Sequence, residues 1–216
     1  MTRIKICGIT RTEDALEACR AGADALGFNF SQASPRCISP DRAREIVRRL
    51  PPFVTAVGVF VDQEPEELVG ICRHASLTLA QLHGSRYGEV ETAAVRGVRV
   101  LKVFRPEAEF TPETVDRFRE RTGVEDFLFD TYRPGMEGGT GERMEESVAG
   151  RIFGALPEGC RGVLAGGLNP GNVAEGVERL RPYAVDTASG VESAPGIKDP
   201  ETMRAFVRAV RLADRN

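Results

Sequence analysis

The sequence is poor in several chemistries. It holds two histidines (His74 and His83), no tryptophan, and three lysines (Lys5, Lys102 and Lys198). Two histidines and no Cys-x-x-C pair leave too few ligands for a histidine-rich metal centre or a zinc site. The five cysteines, at 7, 19, 37, 72 and 160, are odd in number and scattered. That argues against a disulfide framework and fits a reducing, cytoplasmic setting. No apolar run approaches the ~20 residues of a transmembrane helix. The opening MTRIKICGIT lacks the continuous apolar stretch of a secretory signal. With a net charge of −3, there is no basic footprint for nucleic acid. The expected partner is a small molecule rather than a nucleic acid or a membrane.

Arginine, in contrast, is abundant: the chain has 29 basic residues and only three are lysine. A global excess of this always-charged side chain locates no site by itself. Hydrophobic residues make up 41% of the 216, enough for a core at this length and too many for a disordered chain. Four of the cysteines read as core residues, and Cys7 as a candidate for chemistry.

Short apolar runs alternate with amphipathic stretches from end to end. The runs are 3–9, 23–30, 55–61, 77–83, 99–104, 126–130, 161–166 and 184–188. They are near-continuously apolar, as expected for strands covered on both faces. Between them, Ala43, Ile46, Val47 and Leu50 fall at i, i+3, i+4 and i+7, as do Leu68, Ile71, Cys72 and Ala75. That spacing puts one apolar stripe on one helix face. Ser39-Pro40, Thr111-Pro112, Asn169-Pro170 and Asp199-Pro200 each offer a capping side chain followed by a first-turn proline.

Eight such units admit a doubly wound sheet or a closed barrel. The first turn, after strand one, is not glycine-rich, as a dinucleotide-binding sheet would have it. No linker or composition break divides the chain. The pattern predicts one α/β domain over residues 1–216, a (β/α)₈ TIM barrel. In that fold the site forms at the C-terminal ends of the strands.

The polar residues at those ends are then the candidates. Strand one ends at Cys7, either a small buried hydrophobe or, facing the barrel mouth beside positive charge, a thiolate that can serve as a base. Asp130 follows Phe127-Leu128-Phe129, and two readings stay open for it: a cap for the following turn, or a carboxyl group desolvated by that apolar wall and so suited to general acid work. Asp186 has a similar placement. Arg36, after Ser34-Pro35, suits a carboxylate contact, and His83 ends strand four. LAGGLNPGNV (164–173) and DTASGVES (186–193) put Gly166-Gly167 and Ser189-Gly190 in the turns after strands seven and eight, the usual phosphate position of this fold. The glycine-rich GGTG at 138–141, with Gly139, Thr140 and Gly141, closes the longest irregular stretch and reads as an active-site loop.

Together these segments resemble the phosphoribosylanthranilate isomerase family of tryptophan biosynthesis. KICGIT at 5–10 is the most specific of them. GADALGFNF at 22–30, SPR at 34–36, QLHG at 81–84, GGTG, GGLNP at 166–170, SGVE at 189–192 and PGIKD at 195–199 follow in the family's order. Glu142 and the Thr187-Ala188 pair depart from its usual residues.

The resemblance implies an Amadori rearrangement of N-(5-phosphoribosyl)anthranilate to 1-(2-carboxyphenylamino)-1-deoxyribulose 5-phosphate. It assigns Asp130 as general acid and Cys7 as general base. It gives Arg36 the anthranilate carboxylate, puts His83 and Asp186 at the same mouth, and gives the glycine turns and GGTG the phosphate. Neither a metal nor an organic cofactor is implied, and members occur as monomers and homodimers. The alternative is a catalytically degenerate barrel that binds a phosphorylated ligand. Loss of Cys7, Asp130 or Arg36 would favour it, and all three are present.

Overall fold

The computed structural model describes residues 1–107, 109–130 and 141–215, with the side chains of 141–147 outside that description. Eight parallel strands close into one barrel: β1 (Arg3–Ile6), β2 (Ala25–Asn29), β3 (Thr55–Phe60), β4 (Leu79–Leu82), β5 (Arg99–Phe104), β6 (Asp126–Asp130), β7 (Arg161–Ala165) and β8 (Ala184–Thr187). The ring is sealed by pairing Arg3 through Ile6 with Ala184 through Thr187. Helices α1 (Thr12–Ala21), α2 (Pro40–Val47), α3 (Pro65–Ala75), α4 (Glu89–Ala94), α5 (Pro112–Thr122), α6 (Gly141–Gly154), α7 (Val173–Leu180) and α8 (Pro200–Ala213) alternate with them. The eight-unit expectation holds, and the sequence is a (β/α)₈ barrel.

Strand alternation explains the two cores. Successive side chains point to opposite faces, so Ile4 and Ile6 pack outward against the helices while Lys5 and Cys7 point into the barrel. Outside, one large cluster runs from Ile4 to Ala213. A second surrounds Phe118, Phe127 and Phe129 beside β5 and β6. Inside, Leu101, Val103, Leu128, Val163, Ala165 and Ala184 fill the barrel.

Several local expectations are corrected. Most strands are shorter than the apolar runs. Gly8 and Ile9 both donate to the Gly27 carbonyl, so β1 leaves the ladder there. Ser39 and Asp199 cap their helices, accepting from the N–H groups of Arg42 and Thr202. Thr111 makes no such bond. Asn169-Pro170 starts no helix: Asn169 Oδ1 accepts from the Gly171 N–H in a turn, and α7 begins at Val173.

Of the four cysteines expected in the core, only Cys72 is buried; Cys19, Cys37 and Cys160 are partly exposed. An added piece follows β8: a 3-10 turn at Ser189–Val191, then a small antiparallel hairpin, β9 (Glu192–Ala194) and β10 (Ile197–Lys198). Among the described residues, no helix is long and apolar enough to cross a membrane.

Candidate active site

The C-terminal mouth of the barrel holds a cavity of about 210 Å³. Cys7, Arg36, His83, Asp130, Gly166, Gly167, Asp186, Ser189 and Gly190 all line it. The structure therefore brings together nine of the twelve residues singled out from sequence. Gly139 and Thr140 lie outside the described residues. Gly141 is the first residue of α6, and nothing is described of its surroundings.

Cys7 is pinned at the rim by its own N–H, which donates to the Thr187 carbonyl at 2.8 Å. Lys5, two residues earlier on the same face, is 4% exposed. Its ammonium donates to Asp186 Oδ1 at 2.9 Å. Burial pushes the Lys5 pKa down, but Asp186 and Cys7 overcome it and hold it above the ordinary lysine value. Gly27 on β2 makes the room. A Cβ there would stand 2.7 Å from Cys7 Sγ and 3.1 Å from Lys5 Nζ. Arg36 lines the same cavity as Cys7. Sequence reasoning gave Lys5 no role. The signal was there, because Lys5 and Cys7 share a face of an otherwise apolar strand.

Arg36 crosses the mouth directly over Gly8. A Cβ at Gly8 would lie 2.4 Å from Arg36 Cδ, and Gly8 has φ +78°, a conformation that favours glycine. The guanidinium is not a free loop charge, because Glu192 engages it bidentately.

Asp130 differs from expectation. Phe127 and Phe129 point outward into the second core, and alternation sends Asp130 to the other face. Its side chain is 29% exposed, with Arg105 Nε 3.4 Å from Oδ2. The apolar wall that was to desolvate it is therefore on the opposite side of the strand. Arg105 also reaches His83 Nε2 at 2.6 Å. Arginine can only donate, so Nε2 accepts and the ring carries its proton on Nδ1. Burial, then Arg105, lower the His83 pKa below the usual histidine value, which keeps the ring neutral.

The two glycine turns form one surface. Gly166 and Gly167 have φ of +98° and +64°. At Gly190 a Cβ would lie 1.9 Å from the Leu168 carbonyl oxygen, so only glycine lets the turns pack together. Thr187 Oγ1 ties them further, donating to the same oxygen at 2.7 Å. The substitution of Thr187 into the family's motif thus has a structural partner. As the first residues of a 3-10 turn, Ser189 and Gly190 have backbone N–H groups with no acceptor inside it. Such groups at the barrel rim suit an anion. Among the described residues, no cluster of three His, Cys, Asp or Glu side chains is arranged to hold a metal ion.

A closed parallel barrel with its polar residues gathered at the C-terminal mouth defines a class, the (β/α)₈-barrel enzymes. The sequence model of the family described as N-(5'phosphoribosyl)anthranilate (PRA) isomerase matches residues 4–209. The chain belongs to that family. It is 70% identical over 214 residues to the N-(5'-phosphoribosyl)anthranilate isomerase of Chlorobium luteolum, covering 99% of each chain. The solved phosphoribosyl anthranilate isomerase of Thermus thermophilus is 42% identical, with a TM-score of 0.82 and full coverage of both chains. A further solved isomerase, in complex with reduced 1-(o-carboxyphenylamino)-1-deoxyribulose 5-phosphate, is 36% identical with a TM-score of 0.81. It covers 98% of this chain and 99% of that one.

Proposed function

We propose that the chain catalyses the Amadori rearrangement of N-(5-phosphoribosyl)anthranilate, with Asp130 as general acid and Cys7 as general base. One observation carries the reading: Cys7 and Asp130 line a single cavity from strands three apart around the barrel. Arg36 borders the same cavity on the β1–β2 side, and the paired glycine turns border it at β7 and β8. A ligand with a carboxylate at one end and a phosphate at the other suits that layout. The molecule in the solved relative's complex is of this kind by its name.

Asp130 gives its proton to the ribose ring oxygen as the bond from that oxygen to C1 breaks. The lone pair of the anthranilate nitrogen forms the iminium. That cation makes C2 acidic, and the Cys7 thiolate takes its proton, leaving an enolamine. In the final tautomerisation C1 gains a proton from the thiol, and the C2 hydroxyl returns one to Asp130. Thiolate and acid are thereby restored. Lys5, on the same inward face of β1, sets its ammonium beside the sulfur across Gly27. Asp186, held by Lys5, is placed to bind sugar hydroxyls, and His83 lines the same wall.

The test is turnover of freshly condensed substrate by the purified protein, followed through anthranilate fluorescence. The fluorescence is expected to fall with time in proportion to enzyme. A rate equal to the spontaneous decay would leave a ligand-binding barrel without turnover.

A further inference from the structure

Two charged residues in the SGVE and PGIKD segments have no part in that reaction. Glu192 and Lys198 lie on the hairpin after β8, and their side chains are 4% and 0% exposed. Glu192 accepts from Arg36 Nε at 2.8 Å and from Arg36 Nη2 at 2.6 Å. Lys198 Nζ donates to Glu192 Oε1 at 2.7 Å and to the Ala188 carbonyl at 3.0 Å. The Gly196 N–H adds a longer bond to Oε1 at 3.3 Å.

A guanidinium offers five donors in one plane, and hence two edges that each fit a carboxylate. Glu192 occupies the edge made by Nε and Nη2. The Nη1–Nη2 edge keeps donors that Glu192 does not take, and Arg36 lines the cavity. The charges count the same way. Two cations share one carboxylate, so one positive charge is left over, on an arginine side chain 22% exposed at the cavity wall. Uncompensated buried charge is costly, and the natural remedy is an anionic ligand.

We propose that Glu192 is a positioning residue that holds Arg36 by its side edge and so aims the free edge at the substrate's ring carboxylate. Lys198 neutralises Glu192, leaving the charge of Arg36 for the ligand. Through Ala188, the residue before the Ser189-Gly190 turn, Lys198 also ties this clamp to the glycine cradle. The spacing between the two anion sites is thereby fixed by one buried strut, which selects adducts of an ortho-carboxylated aromatic amine. This rests on the carboxylate role given to Arg36 above.

The test compares two substrates in Glu192→Gln, which keeps the shape and turns one acceptor into a donor aimed at Arg36. One is the anthranilate adduct; the other is its carboxyl-free analogue, made by condensing aniline with ribose 5-phosphate. KM for the anthranilate adduct should rise about tenfold or more, while KM for the aniline adduct stays within about twofold. Inhibition by inorganic phosphate should be unchanged, and Arg36→Met, the reference, should lose the discrimination entirely.

A rise for both substrates alike, or for neither, overturns the positioning role. Loss of discrimination in Arg36→Met without loss in Glu192→Gln leaves the Arg36 assignment standing and removes Glu192 from it. Intact discrimination in Arg36→Met removes both. Should Glu192→Gln fail to fold by circular dichroism, the doubly neutral Glu192→Gln/Lys198→Met carries the same comparison with the same expectation.

Discussion

Two buried lysines of the barrel wall have opposite surroundings. Lys5 points inward on β1, 4% exposed, against Asp186 and Cys7. Lys102 points outward on β5, 5% exposed, over the rings of Phe104 and Phe118. Its ammonium donates a hydrogen bond to the Tyr87 carbonyl at 2.6 Å. Burial pushes Lys102 down to about 8, whereas the carboxylate partner holds Lys5 above the ordinary value. Burial is common to both; pairing decides whether the charge survives. The interior beside the thiol is built to retain charge, and the phenylalanine side is built to pack.

Removing each lysine sharpens that contrast. Lys5→Met leaves the partly buried Asp186 carboxylate without its cation, and breaking a buried pair costs about 3–5 kcal/mol. Urea unfolding at pH 7 should show this loss; a loss near zero would mean the pair is solvent-screened. Lys102→Met removes a desolvated cation but orphans the Tyr87 carbonyl, so its change at pH 7 should stay within about 2 kcal/mol.

The pH dependences run in opposite senses. Lys102 titrates lower when folded than the ~10.4 of an unfolded lysine, so below about 8 its charge costs stability. That cost fades as pH rises toward ~10.4, where the unfolded chain also loses the proton. Lys5 contributes stability below ~10.4 and loses it as pH rises through its higher folded value. Unfolding measured at pH 8 and pH 10 should therefore show a smaller gain in Lys102→Met than in wild type, and a larger one in Lys5→Met.

The acid side of the mouth should yield the smallest effect on stability. Arg105 is 67% exposed, so Arg105→Ala should cost under about 1 kcal/mol. His83 is the sensitive readout. Relieved of a neighbouring cation, it should titrate closer to the usual ~6.5 in an NMR titration, with His74 as internal reference. An unmoved His83 would remove Arg105 as its hydrogen-bond donor.

Much of this was legible in the chain. Alternation and helix spacing sufficed for eight units, and strand ends sufficed for Cys7, Asp130 and Asp186. What escaped depends on closure. Glu192, Lys198 and Arg36 meet only because the hairpin after β8 folds back over the loop after β2. Arg105, His83 and Asp130 converge from three successive strands. The apolar neighbours of Asp130 say little of its environment, because period-two alternation sends Phe127 and Phe129 to the other face. Asn169-Pro170 has the composition of a helix start, but its side chain closes a local turn instead.

The central claim is that the charged side of the mouth works through the Cys7 sulfur. The direct measurement is turnover of freshly generated N-(5-phosphoribosyl)anthranilate by Cys7→Ser beside wild type. The account predicts a fall of about 10²-fold or more, with inhibition by inorganic phosphate retained. A Cys7→Ser enzyme at the full wild-type rate would contradict it.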